Sequence, residues 1–139
     1  MDIIILKPGD EALLIQAVEL ADEGPLSLAR ADAHLADADL VNVVAVEDGQ
    51  VVGFVYGHIL RRFEAVSFFI YAVDTTPSHQ RRGIAKAMIA ALAAEGKTGR
   101  WDEMFVFTNR GNAAAMALYA SAGGTSPPPD DVVMFDFEG

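Results

Sequence analysis

The chain contains no cysteine. Disulfide bonds, thiolate catalysis and thiol metal sites are therefore excluded, and a cytoplasmic location is the simplest expectation. No apolar run approaches the ~20 residues that a membrane-spanning helix needs. The opening Met1-Asp2-Ile3-Ile4-Ile5-Leu6 has neither the basic region nor the small-residue cleavage site of a signal peptide, and reads as a strand. Cations are scarce: 10 Lys and Arg stand against 20 Asp and Glu, a formal net charge of −10. Phosphate backbones are bound by cationic surfaces, so nucleic acid is not an expected partner and cationic ligands are. His34 and His58 have no second ligand at metal spacing, so no metal is expected. What the chain does have is length and apolar residues for one domain, 1–139, with one core: 139 residues, 52% of them hydrophobic.

The few cations are not spread evenly. Arg81, Arg82 and Lys86 gather in and just after Gln80-Arg81-Arg82-Gly83-Ile84-Ala85. This stretch joins the apolar strand Phe68–Val73 to a helix on which Ile84, Ala87, Met88, Ala91 and Leu92 recur at helical spacing. A basic turn at a helix N-terminus aims unpaired backbone N–H groups and the positive end of the helix dipole at an arriving anion, such as a pyrophosphate. Gly83 lets that anion approach the main chain.

Elsewhere strands and helices alternate with short connections. Residues 2–7 read as a strand, Pro8-Gly9-Asp10 starts a helix over 10–22 that Gly24-Pro25 ends, and a second helix covers 27–37. Val41–Val46 and Val51–Leu60 flank Glu47-Asp48-Gly49-Gln50, whose Asp-Gly pair signals a hairpin. A strand over 66–75, the basic turn, a helix over 83–95 closed by Gly96-Lys97-Thr98-Gly99 and a strand over Met104–Thr108 follow. The Asn112 helix and, beyond Pro127-Pro128-Pro129, a last strand Val132–Phe137 complete the order. Trp101 and Phe105 read as core and His79 as exposed loop. The order implies an α/β sandwich with a mixed, mostly antiparallel sheet.

The turn resembles the Gln/Arg-x-x-Gly-x-Gly/Ala motif of the GNAT superfamily of N-acetyltransferases, with Thr75-Thr76-Pro77 before it as that superfamily commonly has. Asn112-Ala113-Ala114-Ala115-Met116-Ala117-Leu118-Tyr119-Ala120-Ser121-Ala122-Gly123 resembles its later Asn-x-x-Ala-x-x-Leu-Tyr-x-x-x-Gly helix. The resemblance covers nearly the whole chain. It implies the acetyltransferase fold, a twisted mixed sheet flanked by helices on both faces, with acetyl-CoA as cosubstrate and direct attack of an amine on its thioester. Implied cofactor contacts are Val73, Thr75, Gln80, Arg81, Arg82, Gly83, Ile84, Ala85, Lys86, Asn112 and Tyr119. The resemblance casts the Val73 main-chain N–H as donor to the carbonyl oxygen that gains charge, and Tyr119 as proton donor to the departing thiolate. Read from residue type alone, Tyr119 is equally a core tyrosine and Asn112 an N-cap.

Val51-Val52-Gly53, Phe63-Glu64, Ile70-Tyr71, His79, Ala117-Leu118-Tyr119 and Val133-Met134-Phe135-Asp136 together resemble the small aminoglycoside 3-N-acetyltransferases. That implies a polycationic amino sugar as acceptor, which suits an acidic protein, with Asp74, Glu64 and Asp136 as its contacts. Another small amine, such as a polyamine or amino acid, or a protein amine is the alternative. The chain departs from that subfamily at Ala72, where an aspartate contacting the amine is usual. Asp74 lies two residues further on and so points from the same strand face. It is the candidate base, or else a cap on the Thr75-Thr76-Pro77 turn. The only partner expected is a cationic small molecule, with a homodimer left open against a monomer.

Overall fold

The computed structural model describes residues 1–126 and 133–137. Segments rich in β-branched and aromatic residues form four antiparallel strands, Asp2–Ile5 (β1), Leu40–Glu47 (β2), Gln50–Arg61 (β3) and Val66–Thr75 (β4). Glu103–Val106 (β5) joins β4 in parallel, and the sheet order is β1-β2-β3-β4-β5. The sheet is thus mixed and mostly antiparallel. The β2–β3 hairpin closes through Asp48 and Gly49, both left-handed at φ 51 and 75, with Glu47 opposite Gln50. Such a two-residue turn needs two left-handed residues, which is what the Asp-Gly pair supplies.

Helices cover both faces. Glu11–Leu20 (α1) and Leu28–Ala36 (α2) bury Leu14, Ala17, Ala31 and Leu35 against Val44, Val51 and Phe54 on one face. Ile84–Glu95 (α3) buries Ile84, Met88 and Leu92 against Val43, Val55, Phe68 and Ile70 on the other, and Ala113–Ser121 (α4) lies beside α3. Trp101 joins this second core and stacks on Phe68 at 4.6 Å between ring centroids. Truncating a buried residue such as Leu92 to alanine would cost about 2–5 kcal/mol.

One irregularity shapes the site. Between β3 and β4 the register passes from Tyr56 opposite Ala72 to Gly57 opposite Ile70, which leaves Tyr71 as the extra residue of a β-bulge. Gly57 makes this close approach possible, since a Cβ there would lie 2.0 Å from the Phe69 carbonyl oxygen. The bulge also ends the β4–β5 pairing. β5 is held only along Ser67–Ile70, and from Tyr71 onward β4 has no paired strand on that side among the described residues.

The helix expected over 83–95 is Ile84–Glu95, followed by a wider turn, Gly96–Arg100, in which Gly99 is left-handed at φ 104. Gly96 lies close to the indole of Trp101, where a Cβ would come within 2.3 Å of Nε1. The structure departs from the sequence reading in three places. Phe105 is not core: it is 37% exposed, on the face left bare beyond α1 and α2. His79 is not exposed loop; it turns inward to a carboxylate. Val133–Phe137 form no strand, since no described strand pairs with them and an apolar run alone does not make a ladder. Val132 and the triple proline lie outside the described residues.

Candidate functional site

The basic turn has the geometry of an anion cradle. Arg81 and Gly83 are both left-handed, at φ 64 and 79. The first bond within α3 runs from the Ala87 N–H to the Gly83 carbonyl at 3.0 Å, so the N–H groups of Ile84, Ala85 and Lys86 have no acceptor inside the helix. A Cβ on Gly83 would meet nothing within 4 Å, so the space in front of these groups is open. The arginines differ. Arg82 donates two hydrogen bonds to Glu47, at 3.1 and 2.9 Å, whereas the side chains of Arg81 and Lys86 make no ion pair among the described residues. The Gln80 side-chain amide reaches back to the Thr75 carbonyl at 3.4 Å. The cluster of N–H groups and cations fits a pyrophosphate.

Along β4 the backbone is directed by register. The Thr76 N–H donates to the Val52 carbonyl at 2.9 Å, and Phe54 stands opposite Asp74. In an antiparallel ladder this parity makes Phe54 and Asp74 the bond-exchanging pair and turns the N–H groups of Val73 and Thr75 away from β3. They point to the side from which β5 has parted, where a bound chain can pair with them as a strand would.

Asp74 extends from the α1 side of the sheet into an open cleft of about 420 Å³, lined also by Gln16, Glu19, Gln50 and Thr76. Its carboxylate is half-buried and makes no hydrogen bond among the described residues, so it does not cap the turn that follows it. Burial, and secondarily the charge of Glu23, hold its pKa above the usual carboxylate range. Tyr119 of α4 lies close enough to feel that charge. Its phenol is pushed up by burial first and by Asp74 second, so it keeps its proton at neutral pH. Ala72 sits opposite Tyr56 on the same face as Asp74 and contributes only its methyl group. Asn112 caps α4 through its side-chain oxygen, which accepts the Ala115 N–H at 3.0 Å and leaves the amide nitrogen unused.

Beside Asp74 lies a group of residues that the sequence reading missed. The Tyr56 hydroxyl donates to Glu23 at 2.7 Å, and burial and this bond raise the pKa of that phenol strongly. Tyr56, Tyr71, Phe69, Phe105 and Phe107 follow one another in ring contact across the sheet, with centroids 5.1–6.1 Å apart. No sequence signal marks Glu23, one acid among twenty. The aromatics could have been found from their alternation along β4 and β5, had the bulge been foreseen. Of the other expected acceptor contacts, Glu64 is not brought here. Glu64 is exposed in the β3–β4 turn, separated from Asp74 by the length of β4, roughly 25 Å. Asp136 is exposed in the segment without a strand. Among the described residues no three His, Asp or Glu side chains are grouped to hold a metal ion.

The model of the acetyltransferase (GNAT) family matches residues 11–123, and the chain belongs to that family. It is an acetyl-CoA-dependent N-acetyltransferase. Among relatives, an aminoglycoside N(6')-acetyltransferase type 1 of Salmonella typhimurium is 28% identical over 104 residues, 66% of this chain and 72% of its own. A phosphinothricin N-acetyltransferase of Alcaligenes faecalis is 28% identical over 93 residues, 66% of this chain and 47% of its own. Among solved structures, an aminoglycoside acetyltransferase from an uncultured soil metagenomic sample, in complex with sisomicin, superposes with a TM-score of 0.89 at 21% identity, covering 99% of this chain and 95% of that one. The aminoglycoside N-acetyltransferase AAC(6')-Iy in complex with CoA gives 0.79 at 21% identity, over 99% and 100%.

Proposed function

We propose that the chain acetylates an amine of an aminoglycoside, with Asp74 as the base. The observation that carries this reading is the half-buried Asp74 carboxylate, which has no hydrogen-bond partner among the described residues, opens into a cleft and helps to raise the pKa of Tyr119. Acetyl-CoA supplies a thioester whose acetyl group moves to nitrogen, forming a C–N bond and breaking a C–S bond. The N–H groups of Ile84, Ala85 and Lys86, with the Arg81 side chain, hold the pyrophosphate; Val73, Thr75 and the Asn112 amide bind the pantetheine arm; Gln80 and Gly83 shape the turn. The Val73 N–H donates to the acetyl oxygen as charge grows there, already directed and needing no reorganisation. An ammonium ion cannot attack, so Asp74 takes its proton, and a raised pKa makes Asp74 a better base than an ordinary carboxylate. Tyr119 returns a proton to the leaving sulfur. Glu23 and the aromatic row offer charge and flat apolar faces, which suit the ammonium groups and ring faces of an amino sugar. Glu64, at the far end of β4, has no part in this scheme.

The relatives' names support this acceptor class, since an aminoglycoside enzyme is among those matched in sequence and in structure. Regiochemistry is the finer part. The sequence resemblance favours the 3-amine, and the named relative carries the 6' position. The phosphinothricin enzyme favours a second reading, in which a smaller amine is acetylated. Release of free CoA across a panel of aminoglycosides, polyamines and amino acids separates these readings, and NMR of the product assigns the acetylated nitrogen. Turnover of amino acids alone would overturn the aminoglycoside reading.

A further inference from the structure

We propose that Glu47, in the tight turn between β2 and β3, is the positioning residue of the cofactor turn. The inference rests on reading the Gln80–Ala85 turn as the pyrophosphate site. Glu47 ends β2, and its place is fixed by the two-residue hairpin that sets it opposite Gln50. Its carboxylate reaches across to two side chains of the segment after β4. One oxygen lies 2.7 Å from His79 Nε2 and 3.1 Å from Arg82 Nη1, and the other lies 2.9 Å from Arg82 Nη2. The far side of the imidazole is held as well, with Nδ1 at 2.9 Å from Thr76 Oγ1 and 2.8 Å from Ser78 Oγ. The pKa of Glu47 is lowered, chiefly by the Arg82 hydrogen bonds and further by His79, so the carboxylate is ionised at neutral pH.

Three consequences follow. The forked guanidinium is drawn sideways onto Glu47, away from the open space in front of Gly83, so Arg82 acts as a strut and not as a phosphate ligand. Arg81, which has no ion-pair partner among the described residues, becomes the cation of the turn, together with Lys86. Arg81 also sits in a left-handed conformation that a residue with a Cβ adopts only when its surroundings hold it there. Arg82 on one side of Arg81 and His79 on the other are both tied to one carboxylate, which supplies that hold. Glu47 therefore sets the conformation that aims the Ile84, Ala85 and Lys86 N–H groups, although it does not touch the ligand.

The test compares CoA with a ligand that lacks the pyrophosphate. Glu47→Ala and Glu47→Gln are measured for acetyl-CoA affinity by calorimetry, and for KM and kcat with acetyl-CoA and with S-acetylpantetheine. Glu47→Ala should weaken acetyl-CoA at least tenfold, Glu47→Gln less, with kcat at saturation and KM for S-acetylpantetheine within about twofold of wild type. Equal losses for both thioesters would mean a merely structural role and would overturn the proposal, as would unchanged or tighter acetyl-CoA binding. Gly83→Asp, which puts bulk and negative charge into the cradle, is measured alongside. If it leaves acetyl-CoA affinity intact, the pyrophosphate reading falls and this inference with it. If it weakens binding while Glu47→Ala does not, only the role of Glu47 falls.

Discussion

Replacing Asp74 with asparagine keeps the side chain's shape and removes both its charge and its basicity. No hydrogen bond is lost within the protein, because Asp74 makes none, and the cleft before it is already open. The effect on folding therefore comes from charge alone. With its pKa above the ordinary value of 3.8, Asp74 binds its proton more tightly in the folded state than in the unfolded state. The stability this gives is complete below about pH 3.8 and is lost as pH rises through the raised value, so at pH 7 the ionised group weighs against the fold. Asp74→Asn should consequently melt no lower than wild type at pH 7, and higher if the charge is the dominant cost. Activity should move the opposite way. Loss of a base removes ~10²-fold or more from kcat. Loss of a charged hydrogen bond to the ammonium, about 1.5–3 kcal/mol, raises KM for the amine by ~10-fold or more. Calorimetric melting and steady-state kinetics on the same preparation test both halves. A lower melting temperature with near-normal kinetics in the folded fraction would refute the argument and make Asp74 a structural residue.

Glu23→Gln removes the second cause of the raised Asp74 pKa, so the acid limb of the kcat/KM profile should move to lower pH; a shift upward, or none, would separate the two carboxylates. Tyr119→Phe should lower kcat by ~10²-fold or more while the acetyl-CoA dissociation constant, read by calorimetry, stays nearly constant, and an unchanged kcat with chemistry rate-limiting would return Tyr119 to a packing role. Gly57→Ala drives a Cβ onto the Phe69 carbonyl oxygen at 2.0 Å, which only separation of β3 from β4 can relieve. Two or three ladder bonds at ~1 kcal/mol each, with strain, give a loss of about 3 kcal/mol and a melting temperature lower by roughly 10 °C. Gly111→Ala, where a Cβ meets nothing within 4 Å, is the control, and equal melting temperatures for the two variants would contradict the bulge geometry.

Features written within a short stretch of chain were legible in the sequence. The strand expected over 66–75 is Val66–Thr75, the Asp-Gly hairpin forms with both residues left-handed, and Asn112 caps its helix. Each depends on neighbours a few residues away, where propensity and turn chemistry act directly. What stayed hidden depends on distant pairing. The Tyr71 bulge falls inside an unbroken apolar run and is selected by Gly57 on the adjacent strand. Glu47 and Arg82 are 35 residues apart, and nothing local marks the glutamate of a hairpin turn as the partner of an arginine read as a phosphate ligand. The exposure of Phe105 follows from α1 and α2 ending short of β5, a matter of helix placement and not of hydrophobic pattern. The last strand also depends on distant pairing: an apolar run suggests a strand, but only a partner strand makes one.

The charge of the chain sets the problem this site has to solve. A protein of net charge −10 must take up an anionic cosubstrate and, on the proposed reading, a polycationic acceptor, and bring them within bonding distance. The β4 strand keeps the two demands apart. Successive side chains alternate between faces, so Asp74 looks into the cleft beside α1, while the Val73 N–H lies in the plane of the sheet and points through the gap left by β5. On the proposed reading the anion is met beyond the strand by main-chain N–H groups and two cations, Arg81 and Lys86, while the third, Arg82, is paired with Glu47. Fixed N–H dipoles serve well here, because they bind an anion without adding a full positive charge that would repel the approaching ammonium. The bulge at Tyr71 unites these arrangements: β5 parts from β4 there, and an exposed aromatic ring packs beside Tyr56. On the proposed reading, one extra residue, admitted by one glycine on the neighbouring strand, thus creates the opening for the thioester and sets an aromatic ring on the acceptor's face of the sheet.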